Sequence, residues 1–233
     1  MPTLTRELRK TLERVVKDAR RVAEVGARKA IEQLAVHRDA WPNQSEDQLA
    51  LRRRLLAHGR QLGDRPSEKK GERSIDKLVG ECAYEHWHRL LFARFLAECG
   101  LLIEPTSGVA ITLAECKELA SEEGVDWLTL ASRFAQRMLP QIFRADDPVL
   151  EVSLPPETRQ ELEALVTSLS QEVFLASDSL GWVYQFWQAE RKDAVNAAGG
   201  KIGADELPAV TQLFTEDYMV DFLLDNTLGA WHA

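Results

Sequence analysis

Cysteine is scarce in this 233-residue chain: Cys82, Cys99 and Cys116 are all there is, an odd set without a C-x-x-C pair. That excludes a disulfide framework and the usual zinc-ligand spacings, and points to reduced thiols buried in helices. Long apolar runs are missing too. Nothing approaches the roughly 20 residues that span a bilayer. The charged, periodic N-terminus also lacks the apolar core and cleavage site of a secretory signal, so a cytoplasmic location without membrane contact is expected. G-x-S-x-G, G-x-G-x-x-G and H-E-x-x-H are absent, which leaves hydrolase, dinucleotide and zinc-protease readings without a motif. Extended segments are rare. Residues 149–154 make the one plausible strand, and one strand makes no sheet.

What remains is a composition of 45% hydrophobic and 28% charged residues, that of an ordinary soluble globular chain. The net charge of −8 is unevenly spread: residues 1–73 hold 18 Lys/Arg against 11 Asp/Glu, leaving 11 against 26 for the rest. A basic front suits phosphates, and it equally suits a solvated helix face.

Helical spacing dominates. Leu4, Leu8, Leu12, Val15, Ala19, Val22, Ala27, Ile31 and Leu34 form one stripe of a helix over about residues 3–37. Ser45 and Gln48 make a capping box for a second helix reaching Leu62, which gives a basic helical arm over 1–62. The charged, Gly- and Pro-containing stretch 63–73 reads as a linker. Beyond it a strongly apolar helix runs from about Ser74 to Gly100. Thr112 with Glu115, Asp126, Pro155-Pro156-Glu157 and Asp178 or Ser179 open four more helices. The expected fold is all-α: a hairpin arm, a linker, a multi-helix bundle over 74–203 and a final segment 204–233, with at most one short strand.

Candidate chemistry is thin. His86 and His88, two apart, point about 200° away from each other on a helix and cannot chelate one metal together, so no metal site is assigned. Residues 199–203 (GGKIG) follow a helix rather than a strand and read as a turn, not a phosphate loop. Trp182, Tyr184, Phe186 and Trp187 crowd one helix, where core packing is favoured over base stacking. Arg20, Arg21, Arg52, Arg53 and Arg54 are candidates to track a DNA backbone, a solvated face being the alternative. In Thr211–Phe222 (TQLFTEDYMVDF), Thr215 is expected to cap a helix whose first-turn N–H groups suit an anion.

The residues DSLGWVYQFWQAERKDAVN from Asp178, followed by DELPAVTQLFTEDYMVDFLLDNTLGAW, resemble the segment just before the catalytic domain of large PglX-type adenine-specific DNA methyltransferases. These are phage-defence enzymes of the BREX and DISARM kind. ECAYEHWHRLLFARFLAECGLL, from Glu81 to Leu102, is similar to the same family's upstream helical segment.

The resemblance implies an S-adenosyl-L-methionine cofactor, with a Q-x-F-T-P motif that here reads Gln212-Leu213-Phe214-Thr215-Glu216. Gln212, Phe214 and Thr215 are the implied cofactor-binding residues. Glu216 replaces the motif's proline, which suits the helix dipole provided its carboxylate points away from that of the cofactor. The family's glycine-rich loop and N-P-P-Y tetrapeptide, which would hold a flipped adenine, are not in this sequence, and no residue here is expected to be catalytic. The chain is expected to be an amino-terminal piece of such an enzyme, inactive alone. The expected partners are the missing catalytic domain, double-stranded DNA and other phage-defence proteins. A stand-alone helical interaction module and a DNA-binding adaptor are the rival readings.

Overall fold

A computed structural model describes residues 2–67, 71–144, 146–199, 202–203, 207–211 and 214–232. The chain forms two compact units, Met1–Lys17 with Leu169–Ala233, and Asp18–Ser168. Helix α1, Arg6–Gln33, contributes its first turns to one unit and the remainder to the other. Leu12, Val15, Ala19, Ala27 and Ile31 of the expected stripe are buried, with Ala23 buried beside the half-buried Val22. It ends earlier than the pattern suggested, because Ala35 turns left-handed at φ 54°.

In the unit Asp18–Ser168, helix α2 (Glu46–Leu62) starts at the Ser45–Gln48 capping box and stops at Gly63, which is left-handed at φ 99°. Helix α3 (Asp76–Glu98) is the central apolar helix, burying Leu78, Val79, Cys82, Trp87 and Leu91. The stretch 63–73 between them is held at both ends. Ser74 N–H donates to Arg65 O and Ser67 N–H to Glu72 O. Asp64 accepts from Ser74 Oγ and from the backbone of Lys77 and Leu78, satisfying first-turn amides of α3. The compact units therefore divide at 17/18 and 168/169, while the charged stretch lies inside one of them.

Helices α4 (Leu113–Glu123) and α5 (Trp127–Met138) follow their expected caps, the Thr112–Glu115 box and Asp126. They enclose a core of Leu96, Leu102, Leu130, Phe134 and Phe143 with α3. The expected strand at 149–154 is a correction: Pro148–Glu151 forms a 3-10 turn. Asp147 caps it and Pro148 presets its first φ, so the buried Val149 and Val152 reach the core without pairing. Among the described residues there is no strand, only two isolated bridges, and the fold is all-α. Helix α6 (Pro156–Ser168) completes the unit. Thr158 lies where a Cβ on Gly26 would sit, 2.3 Å from its Cγ2, so glycine is required for that approach.

The other unit holds α7 (Gln171–Leu175), a short helix the sequence pattern missed, and α8 (Ser179–Ala198), which Gly199 ends at φ 61°. Trp182, Phe186 and Trp187 are buried, as core packing required. After them come α9 (Leu207–Thr211), α10 (Asp217–Leu224), a π turn (Asp225–Gly229) and α11 (Ala230–His232). No helix among the described residues is long and apolar enough to cross a membrane.

Candidate functional site

The irregular N-terminal segment is fastened to α8. Leu4 N–H donates to Asp178 Oδ1 at 2.8 Å, and Trp182 Nε1 donates to Asp178 Oδ2 at 2.9 Å. One buried carboxylate thus fixes both the chain start and the indole. That indole is the platform for the segment singled out in the sequence. The Phe214 ring meets Trp182 edge-on at 5.4 Å and lies over Gly181, where a Cβ would come within 2.0 Å of Phe214 Cδ2. Phe214 N–H donates to Gln185 Oε1 at 3.0 Å. The segment is docked on α8 by its ring and its amide together.

Arg9, from α1, reaches the same indole: its guanidinium lies 4.5 Å from the Trp182 ring centroid and pairs with Glu216 Oε1 at 3.4 Å. The residue standing where the motif has proline is thereby turned toward α1. Thr215 is exposed. The cap itself is a correction, since α10 begins one residue later than expected, with Glu216 at the N-cap in extended geometry and no side chain capping the first turn. Glu216 O already accepts from Met219 and Val220, so the chain turns helical only after Glu216, which places Thr215 outside the helix. Gln212 lies outside the described residues.

Beyond that turn, α10 and its continuation expose Tyr218, Met219, Val220, Phe222, Leu223, Leu224, Leu228 and Trp231, with Phe222 64% and Trp231 80% accessible. So large an apolar surface on one element exceeds the singly scattered apolar side chains that are ordinary on a protein surface.

The candidate DNA-tracking arginines are largely committed within the protein. Arg20 Nε pairs with Glu24 at 2.8 Å and Arg21 with Asp18 at 3.4 Å. Arg52 donates to the carbonyls of Ala35 and Arg38, closing the turn after α1. Arg54 binds Glu151 and the carbonyl of Asp146. Arg53 stands exposed.

His86 and His88 serve packing. His86 Nε2–H donates to Val149 O at 3.1 Å, and burial pushes its pKa down to about 4. His88 stacks on Tyr84 and Phe92, each at 5.5 Å. Burial likewise pushes the Cys82 thiol up to about 12 and the Cys116 thiol up to about 11.

No protein-family model matches the chain. Two curated proteins are similar to it. An adenine-specific methyltransferase BrxX of Escherichia coli O9:H4 (strain HS) is 28% identical over 198 residues, covering 71% of this chain and 16% of that protein. An adenine-specific methyltransferase PglX of Lacticaseibacillus casei (strain Zhang) is 31% identical over 99 residues, 40% of this chain and 8% of that protein. The chain therefore spans less than a fifth of the relatives it matches. Sequence similarity relates this helical chain to the BrxX- and PglX-type adenine-specific methyltransferases.

Proposed function

We propose that this chain is the helical N-terminal part of an S-adenosyl-L-methionine-dependent DNA adenine N6-methyltransferase of a bacterial phage-defence system. Its job is to carry and position the catalytic domain rather than to perform chemistry. The observation that carries the reading is the combination of similarity across 71% of the chain to proteins several times longer with an exposed apolar helix after Phe214. Residues 204–233 are read as the start of the methyltransferase domain, and α10 as the joint on which that domain folds.

The residues present fit the cofactor as one wall only. The exposed Thr215 hydroxyl and the uncapped first turn of α10 suit the carboxylate of the methionine end. Phe214, docked on Trp182, holds that wall in place. Glu216, engaged by Arg9, keeps its charge off the cofactor carboxylate. When bound, the cofactor supplies the methyl group; adenine recognition belongs to motifs this sequence lacks. Double-stranded DNA and sister defence proteins are the partners proposed for the whole enzyme, with Arg53 the DNA candidate left uncommitted by the described contacts.

The test is methyl transfer from labelled S-adenosyl-L-methionine to duplex DNA. The 233-residue chain is expected to transfer nothing, and a longer product of the same reading frame, carrying the glycine-rich loop and N-P-P-Y, is expected to be active. Transfer by the short chain sinks the reading. The exposed helix also suits a stand-alone interaction module, and a natural stop codon after Ala233 would favour that alternative.

A further inference from the structure

We infer that Arg9 is a positioning residue for the cofactor, acting through Glu216: it holds the Glu216 side chain aside so that the carboxylate of the methionine end meets no like charge at Thr215. The inference rests on the methyltransferase reading and adds to it a dependence on α1. In the motif the position after the threonine is proline, which carries no charge. Glu216 stands there in this chain. A carboxylate beside an incoming carboxylate repels it, so the replacement calls for a cation that holds the side chain elsewhere.

Arg9 supplies that cation from a fixed place. Its Nη1 lies 3.4 Å from Glu216 Oε1, and its guanidinium lies 4.5 Å from the Trp182 ring centroid. The indole is itself fixed, Nε1 donating to Asp178 Oδ2 at 2.9 Å. The other oxygen of that buried carboxylate accepts from Leu4 N–H, just before the helix that carries Arg9. Phe214, two residues before Glu216, meets the same indole edge-on and donates its N–H to Gln185 Oε1. One ring therefore sets both the backbone of the motif and the partner of its unusual glutamate.

Stability does not account for the pair. The two side chains are 34% and 38% exposed, and an ion pair that open to water contributes little to folding. Where it holds a charge is a different matter. Released from Arg9, Glu216 would be a free carboxylate adjoining Thr215, and a like charge next to a bound anion in partly screened surroundings costs about five- to tenfold in affinity.

The longer product of the reading frame, with its catalytic domain, is titrated calorimetrically with two probes in the absence of DNA. S-adenosyl-L-homocysteine carries the carboxylate, and methylthioadenosine lacks the whole amino-acid end. Arg9→Ala is expected to weaken S-adenosyl-L-homocysteine about five- to tenfold and to leave methylthioadenosine unchanged, whereas a general loosening of the unit would weaken both. In methyl transfer the same variant is expected to raise KM for the cofactor with kcat retained. Made in a Glu216→Gln background, Arg9→Ala is expected to cost nothing further for either probe. Equal losses for the two probes overturn the inference. So does a loss for S-adenosyl-L-homocysteine that persists in the Glu216→Gln background, which would assign Arg9 to direct contact with the cofactor. A parent enzyme that binds S-adenosyl-L-homocysteine and methylates DNA but is indifferent to Arg9→Ala refutes the inference and leaves the methyltransferase reading standing; a parent that binds neither probe removes both.

Discussion

Arg9 and Glu216 lie 207 residues apart in sequence and pair at 3.4 Å, with the Arg9 guanidinium at the same time 4.5 Å from the Trp182 ring centroid. Both side chains are about one-third exposed, so the ion pair alone is worth less than about 1 kcal/mol. The stacked guanidinium adds about 0.5–2 kcal/mol. Glu216→Gln is therefore expected to cost less in urea unfolding than Arg9→Ala, because only the latter loses the stack as well. Equal losses would show that the stack contributes nothing.

Gly181→Ala is expected to be disruptive out of proportion to one methyl group. The new Cβ would fall 2.0 Å from Phe214 Cδ2 and 2.2 Å from Cε2, with the ring already against Trp182. Overpacking of this kind costs about 1–3 kcal/mol, and here the ring must leave its seat. Limited proteolysis is expected to cleave between residues 199 and 217 faster in the variant than in the parent. An unchanged cleavage rate would mean that Phe214 is not held by α8.

Local signals in the sequence were legible where a few adjacent residues carry the whole interaction. The boxes at Ser45–Gln48 and Thr112–Glu115, the Asp126 cap and the end of the apolar helix at the left-handed Gly100 are all where the pattern put them. The 3-10 turn at Pro148–Glu151 was not, because alternating Val149, Leu150 and Val152 look like a strand until Asp147 and Pro148 are read as a cap and a first turn. Long-range commitments were invisible as well. Nothing near Arg52 in sequence says that Ala35 and Arg38 take its guanidinium, or near Glu216 that Arg9 does.

The thiols give a third test. Cys82 and Cys116 are fully buried with pKa values pushed up to about 12 and about 11, burial being the first cause in each. Cys99 is partly exposed, and partial burial followed by the charge of Glu98 raises its thiol. At neutral to mildly alkaline pH a disulfide-exchange reagent is expected to modify Cys99 alone in the native protein, slowly, and all three on unfolding. Rapid native modification of Cys82 would contradict its place in the core.

His86 sets an acid limit on stability. Burial, then the charge of Arg89, depress its pKa to about 4, while the Val149 carbonyl opposes them. The unfolded chain binds this proton near pH 6.5 and the folded chain does not until about pH 4, so stability falls as pH drops through that window. The shift corresponds to on the order of 3 kcal/mol once both pKa values are passed. Glu85 on the same helix works against this. Its carboxyl is raised by burial and by Glu81 and Asp147, so it stabilises the fold on the acid side and loses that contribution as pH rises through its folded value. His86→Gln is expected to flatten the loss between about pH 6.5 and 4 in urea titrations; an unchanged slope would assign the acid sensitivity to other groups.

The exposed helix allows the sharpest test of how the chain is used. An ordinary surface helix shows one apolar stripe, but α10 and its continuation present Tyr218, Val220, Phe222, Leu223 and Leu228 to solvent, with no layer opposing them among the described residues. Burying a side chain of this size contributes about 1.5–3 kcal/mol each, so the helix adds little stability while bare and a great deal once covered. Ending the chain at Glu216 is therefore expected to leave the midpoint of thermal unfolding nearly unchanged, and to reduce self-association and binding of an apolar dye. Under the proposed reading, a chain extended into the catalytic domain is expected to show the same effect on dye binding and to protect the amides of α10 from hydrogen exchange. If truncation instead unfolds the unit built on α8, the helix is part of this unit's core and the joint lies elsewhere. If extension leaves α10 unprotected, the catalytic domain does not rest on it.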